Sequence, residues 1–134
     1  MRKKFTNTFF LLIILTTFNC GEDQSKEVKL AYVEGNREIR VEIENGQRYL
    51  EYDKPTKADF ILTNIDMNTF SVYGLGIRIL GSKNGVLRTE INVPKEHSKN
   101  DTLNIKIRFG EEIKKIEFNI PLKTLSKNTA YNTR

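Results

Sequence analysis

The stretch 102-TLNIKIRFGEEIKKIEFNIP-121 holds two runs of alternation around one turn. Leu103, Ile105, Ile107 and Phe109 alternate with Asn104, Lys106 and Arg108, and Ile116, Phe118 and Ile120 repeat the spacing. A period of two sets one face on a core and the other in water, which is a strand pattern and not a helical one. Gly110-Glu111-Glu112 turns the chain between the runs. Pro121 has no N–H to give to a ladder, so it is expected to stop the second strand. The pairs Glu111-Glu112 and Lys114-Lys115 fall at the hairpin tip and are expected to be solvated.

The same period extends towards the N-terminus. Val28, Leu30 and Tyr32 alternate with Lys29 and Ala31, and Ile39, Val41 and Ile43 with Arg40 and Glu42. Asn45-Gly46 then predicts a two-residue hairpin into Tyr49–Tyr52, because a type I′ turn needs positive φ at both positions. Asp53-Lys54-Pro55-Thr56 interrupts that strand. Ala58, Phe60 and Leu62 form the next strand, and Asn64–Asn68 a loop. Phe70, Val72 and Tyr73 follow, then Gly74-Leu75-Gly76, where two glycines predict a bulge or a tight bend. After Ile77–Leu80, Asn84-Gly85 supplies a second hairpin turn. Leu87, Thr89, Ile91 and Val93 then alternate up to Pro94.

Short strands with turn signals every eight to twelve residues, and no competing amphipathic helix, predict an all-β fold. The expected architecture is a single antiparallel immunoglobulin-like β-sandwich of about seven strands over residues 28–122. A closed barrel is the alternative. Residues 123–134, KTLSKNTAYNTR, are polar and expected to be a flexible tail.

The N-terminus is of another kind. Arg2, Lys3 and Lys4 precede an apolar run of about ten residues from Phe9 to Phe18. A membrane-spanning helix needs roughly twenty. The run ends at Cys20, the single cysteine of the chain, which has no partner for an internal disulfide. FLLIILTTFNCGEDQ resembles the lipobox region of bacterial lipoproteins, with Thr17, Phe18 and Asn19 where a lipobox usually has Leu and two small residues. The acidic residues after Cys20 resemble surface-export signals of the Bacteroidetes. The resemblance implies a signal peptide over 1–19, acylation of Cys20 and a polar tether over 20–27. An uncleaved signal anchor is the other reading of the same run. Each buried methylene of an acyl chain contributes about 0.8 kcal/mol, and more than one chain is needed for stable attachment.

Of 134 residues at net charge +5, removal of 1–19 takes away Arg2, Lys3 and Lys4 and leaves 115 (134 − 19) at about +2. That near balance does not suggest a nucleic-acid binder, which would carry a one-sided basic surface. The length suits one domain.

The stretch "YLEYDKPTKADFILTNIDMNTFSVYGLGIRIL", with "NGVLRTEINVP" and "TLNIKIRFGEEIKKIEFNIP", is similar in strand order to known domains. It resembles the immunoglobulin-like periplasmic domains of the gliding-motility and type IX secretion trunk protein, over about residues 47–121. The resemblance implies a fold and a group of organisms. It implies no site residues, since shared architecture does not carry function.

Few residues suggest chemistry. His97 is the only histidine. Ser98 and Asp101 lie nearby, yet KEHSKND has the composition of a solvated loop, and a relay needs a base held by an orienting carboxylate. Asn64, Asp66 and Asn68 could offer three oxygens to calcium, but lack the glycine and distal glutamate of a hand-type loop. Gly74-Leu75-Gly76 lacks phosphate-loop spacing. Tyr49, Tyr52, Phe70 and Tyr73 are either core rings or an aromatic platform. The expectation is a non-enzymatic, lipid-anchored module without metal or cofactor, holding a protein partner at the outer membrane, facing the periplasm or the cell surface. The alternative is a carbohydrate-binding lipoprotein of a glycan-uptake system, which requires two or more of those rings on one exposed face.

Overall fold

The computed structural model describes residues 27–125. The expected signal peptide, Cys20, most of the tether and most of the tail lie outside the described residues. Nine strands follow in chain order: β1 (Ala31–Glu34), β2 (Arg37–Ile43), β3 (Leu50–Glu51), β4 (Thr56–Thr63), β5 (Ser71–Tyr73), β6 (Ile77–Lys83), β7 (Val86–Ile91), β8 (Thr102–Phe109) and β9 (Lys114–Lys123). They form two sheets, β1-β2-β4-β7-β6 and β3-β9-β8-β5. The fold is therefore an all-β sandwich. Among the described residues the only helical segments are three short 3-10 turns, and no helix is long and apolar enough to cross a membrane.

Alternation places the core. Ile39, Val41 and Ile43 of β2, Ala58, Phe60 and Leu62 of β4, and Leu87, Thr89 and Ile91 of β7 are buried on the inner face of the first sheet. Leu103, Ile105, Ile107 and Phe109 of β8 face them, with Phe118, Ile120 and Leu122 of β9. Burial of each such side chain contributes roughly 1.5–3 kcal/mol. Thr89 is the one fully enclosed polar side chain in this set, and its hydroxyl donates to the Ala58 carbonyl at 2.6 Å.

The strand count and one pairing depart from expectation. Asn45-Gly46 has positive φ at both residues, 60° and 65°, yet it makes no hairpin. β2 is already paired on one edge by β1 and on the other by β4, so no edge remains for Tyr49–Tyr52. The chain crosses to the second sheet instead, where β3 pairs parallel with β9 through Leu50↔Leu122 and Glu51↔Lys123. The sandwich is thus not wholly antiparallel, and among the described residues the strands number nine rather than about seven. Asn84-Gly85 does form the expected two-residue turn, with Lys83↔Val86 closing it and φ of 52° and 74°.

Gly74-Leu75-Gly76 forms the tight bend, one of its two expected readings, with Ile77 N–H donating to the Gly74 carbonyl at 3.4 Å. It carries the chain from β5 in one sheet to β6 in the other, while the bulge lies between Ile79 and Gly81. Pro121 does not end its strand. It sits opposite Thr102 within β9, which continues through Lys123, the residue expected to begin the tail.

Tyr52 anchors the polar loop between β7 and β8. Its ring is 5 % exposed. Its hydroxyl lies 3.0 Å from both the Asn100 carbonyl oxygen and Asp101 Oδ1, and 3.3 Å from Ser98 Oγ. Tyr52→Phe keeps the ring and removes these bonds. It is expected to cost about 1 kcal/mol in urea unfolding and to speed amide exchange at residues 97–101. Unchanged exchange there would show that the loop is held by other means.

Candidate interaction surface

The residues singled out in sequence are not gathered by the fold. His97 is 64 % exposed, with Nδ1 3.7 Å from Glu96. Ser98 and Asp101, its expected companions, are turned to the Tyr52 hydroxyl. Asp66 accepts from the Asn68 backbone N–H at 2.9 Å, and Asn64 donates to the Asn36 carbonyl at 2.6 Å. These contacts make the loop a capped turn. Among the described residues no group of three or more His, Cys, Asp or Glu is arranged as a metal site.

The four rings are dispersed too. Tyr52 is buried. Phe70 packs on Phe60, 6.2 Å between centroids. Tyr49 precedes β3 at one edge of the second sheet, with Lys123 Nζ 4.0 Å above its ring. Tyr73 lies on β5 at the opposite edge, 53 % exposed. With strands about 4.8 Å apart, the two accessible rings are too distant to share one sugar-sized face.

The hairpin charges behave unequally. Glu111, Glu112 and Lys115 are exposed as expected. Lys114 has the inward phase of β9 and is not simply solvated. It reaches the Glu34 carboxylate and stands 5.4 Å from the Tyr32 ring. Arg37 meets the other Glu34 oxygen at 2.6 Å. The Lys114 hydrogen bond, opposed by partial desolvation and helped by the charges of Lys114 and Arg37, holds the Glu34 carboxyl below the usual carboxylate range. The same bond raises Lys114 above the usual lysine range. A carboxyl lowered on folding stabilises above its unfolded pKa, about 4.3, and that contribution is lost as pH falls through the folded value. A raised lysine stabilises below about 10.4 and loses its contribution as pH rises through the folded value. Glu34→Gln is therefore expected to be less stable than the native chain at pH 7. The gap in urea midpoint should shrink as pH falls below about 4. A gap independent of pH would assign the loss to packing.

The two outer faces differ in charge. On the first sheet Arg40, Lys57, Arg78, Lys83 and Arg88 stand with Glu38, Glu42, Asp59 and Glu90. Arg40–Glu42 and Arg78–Glu90 pair at 3.2 and 2.7 Å. On the second sheet Lys106, Arg108, Lys115 and Lys123 face only Glu51 and Glu117. Glu117 is engaged by Asn104 Nδ2 at 3.0 Å, and the same nitrogen reaches Asn119 Oδ1 at 2.9 Å. Arg108 lies 5.5 Å above the Tyr73 ring. Between Tyr73, Lys106, Arg108, Lys115 and Glu117 runs an open groove of about 740 Å³.

No protein-family model, curated protein or solved structure matches this chain. The surface is therefore read from its own chemistry. Basic groups around an exposed tyrosine, on an otherwise regular sheet, suit an acidic polypeptide or another anionic surface. Sequence inspection missed this face because its cations come from two strands and its ring from a third. The signal was there in Lys106 and Arg108, which alternate with buried residues and so share one side.

Proposed function

We propose that this chain is a lipid-anchored, non-enzymatic module that binds a protein partner through the outer face of its second sheet, at the bacterial outer membrane. The observation that carries the binding reading is the unequal charge of the two faces. The first sheet sets five cations against four carboxylates, with two ion pairs among them, whereas the second sets four against two, with Arg108 over the Tyr73 ring. The lipobox resemblance at Cys20 supports the anchoring. The proposed sandwich is immunoglobulin-like. Strands β2, β4, β7 and β6 follow the order A, B, E, D, and β9, β8 and β5 the order G, F, C. In this reading β2 and β3 are halves of a divided first strand, and β1 is an addition at the edge. The carbohydrate reading has no support from the ring positions.

A photocrosslinker in place of Tyr73 tests the binding. It should yield a discrete protein adduct in membranes, and the same group in place of Lys57 on the other face should not. Equal adducts from both, or none from Tyr73, would overturn the assignment. Labelled fatty acid on the native chain and not on Cys20→Ser tests the anchor separately.

A further inference from the structure

We infer that β9 presents an open edge that takes up an extended segment of an acidic partner polypeptide as an added strand. The backbone phase of β9 supplies the first argument. Leu122 N–H donates to the Asp101 carbonyl at 2.9 Å. The even residues of β9 therefore bond to β8, and Lys115, Glu117 and Asn119 direct their N–H and C=O groups to the other side. β3 covers that side only against Leu122 and Lys123, where Tyr52 N–H donates to the Lys123 carbonyl at 3.0 Å. Among the described residues no backbone or side-chain group bonds to the main chain of Lys115, Glu117 or Asn119. Pro121 has the same outward phase, which is why the strand tolerates it: its missing N–H belongs to the open side and not to the ladder.

Space supplies the second. The Cα traces of β1 and β9 stay more than 8 Å apart along most of their length. Paired strands lie about 4.8 Å apart, so β1 is no partner for this edge. A cleft of about 510 Å³ separates Glu27–Lys29 from Glu117, Asn119 and Pro121. Leu30, Tyr32 and Ile116 remain only partly buried against the core. The other long edge is less suited: β6 is bulged between Ile79 and Gly81 and carries Arg78 and Lys83.

Charge identifies the occupant. An added strand alternates its side chains between the two sides of the sheet. Those turned inward would cover Ile116, and those turned outward would lie beside Lys115 and Glu117, whose carboxylate is already engaged by Asn104 Nδ2 at 3.0 Å, with Arg108 and Lys106 one strand further on. An apolar-in, acidic-out segment satisfies both, with main-chain bonds giving affinity and alternate side chains giving selectivity. The inference rests on the protein-binding reading above and not on lipidation.

Amide exchange on the full chain in detergent tests it. In the free chain the amides of Lys115, Glu117 and Asn119 should exchange at least about tenfold faster than those of Ile116, Phe118 and Ile120. A seven-residue peptide alternating valine and glutamate should slow those three by about tenfold or more. A valine–lysine peptide, or the glutamate peptide methylated on alternate backbone nitrogens, should not. Three results would overturn the inference: protection already present in the free chain, peptide binding without protection of the three amides, or no binding of the glutamate peptide. Glu117→Pro places a ring in the lane and removes an outward N–H but no β8 ladder bond, at the cost of the Asn104–Glu117 side-chain bond. If the Tyr73 adduct survives in that variant, the lane is wrong and the binding reading stands. If the native chain gives no adduct, the binding reading itself fails.

Discussion

Phe60→Ala should lower stability by about 3–5 kcal/mol, the loss typical of a large ring removed from a packed core. Phe60 has no exposed surface and sits mid-strand in β4, between Val41 of β2 and Leu87 of β7. Its ring also packs on Phe70, in the connection just before β5, so truncation opens a void that reaches this segment too. Against a total stability of roughly 5–15 kcal/mol, the change is a large share. The urea midpoint should fall with little change in slope, because the surface exposed on unfolding stays nearly the same. Phe60→Leu, which keeps most of the volume, should cost less than about 1.5 kcal/mol. Equal losses for the two would mean that the ring's shape matters and its volume does not.

Gly76→Ala should be nearly as damaging for a different reason. Gly76 has φ of +75°, and a Cβ built there would lie 2.0 Å from the Asn92 carbonyl oxygen. That oxygen is backbone and cannot swing aside. The Asn92 N–H also donates to the Gly76 carbonyl at 3.0 Å, so relief of the clash breaks the bond that fastens the crossover to the end of β7. The left-handed conformation costs about 1–2 kcal/mol for an L residue, and the lost bond about 1 kcal/mol more. Displacement of the Asn92 main chain adds to both, so the total should reach about 3 kcal/mol or more. Gly35→Ala separates the contributions. It shares the positive φ, +58°, but its Cβ would meet nothing within 4 Å, and it should cost only about 1–2 kcal/mol. Comparable losses at the two positions would refute the clash.

Which parts of this fold could be read in sequence follows from what each part depends on. The faces of β8 and β9 depend on local alternation alone, and Leu103 to Phe109 are buried on the predicted side. The Asn84-Gly85 turn joins adjacent strands and needs nothing else. Asn45-Gly46 carries the same dipeptide and the same positive φ, yet its outcome was fixed by β4, which had taken the edge that a hairpin would need. The partner of Leu50 was illegible for the same reason. Pro121 misled because its effect depends on phase: one residue earlier or later it would have broken the β8 ladder. Leu122, continuing the alternation of Ile116, Phe118 and Ile120, was the clue that the strand went on. The candidate surface was less legible still. Lys106 and Arg108 are neighbours in sequence, but Tyr73, Lys115 and Glu117 join them only through register.

The β3–β9 pair has a consequence in time. It joins Leu50 to Leu122 across 72 residues (122 − 50) with a ladder of two, the longest separation of any strand pair among the described residues. Bringing such distant segments together carries a loop-closure entropy that local hairpins avoid. The β6–β7 and β8–β9 hairpins can form early, whereas this joint must wait until β9 has been synthesised and placed. A chain shortened before Leu122 is accordingly expected to stall with its two sheets unlatched on that side.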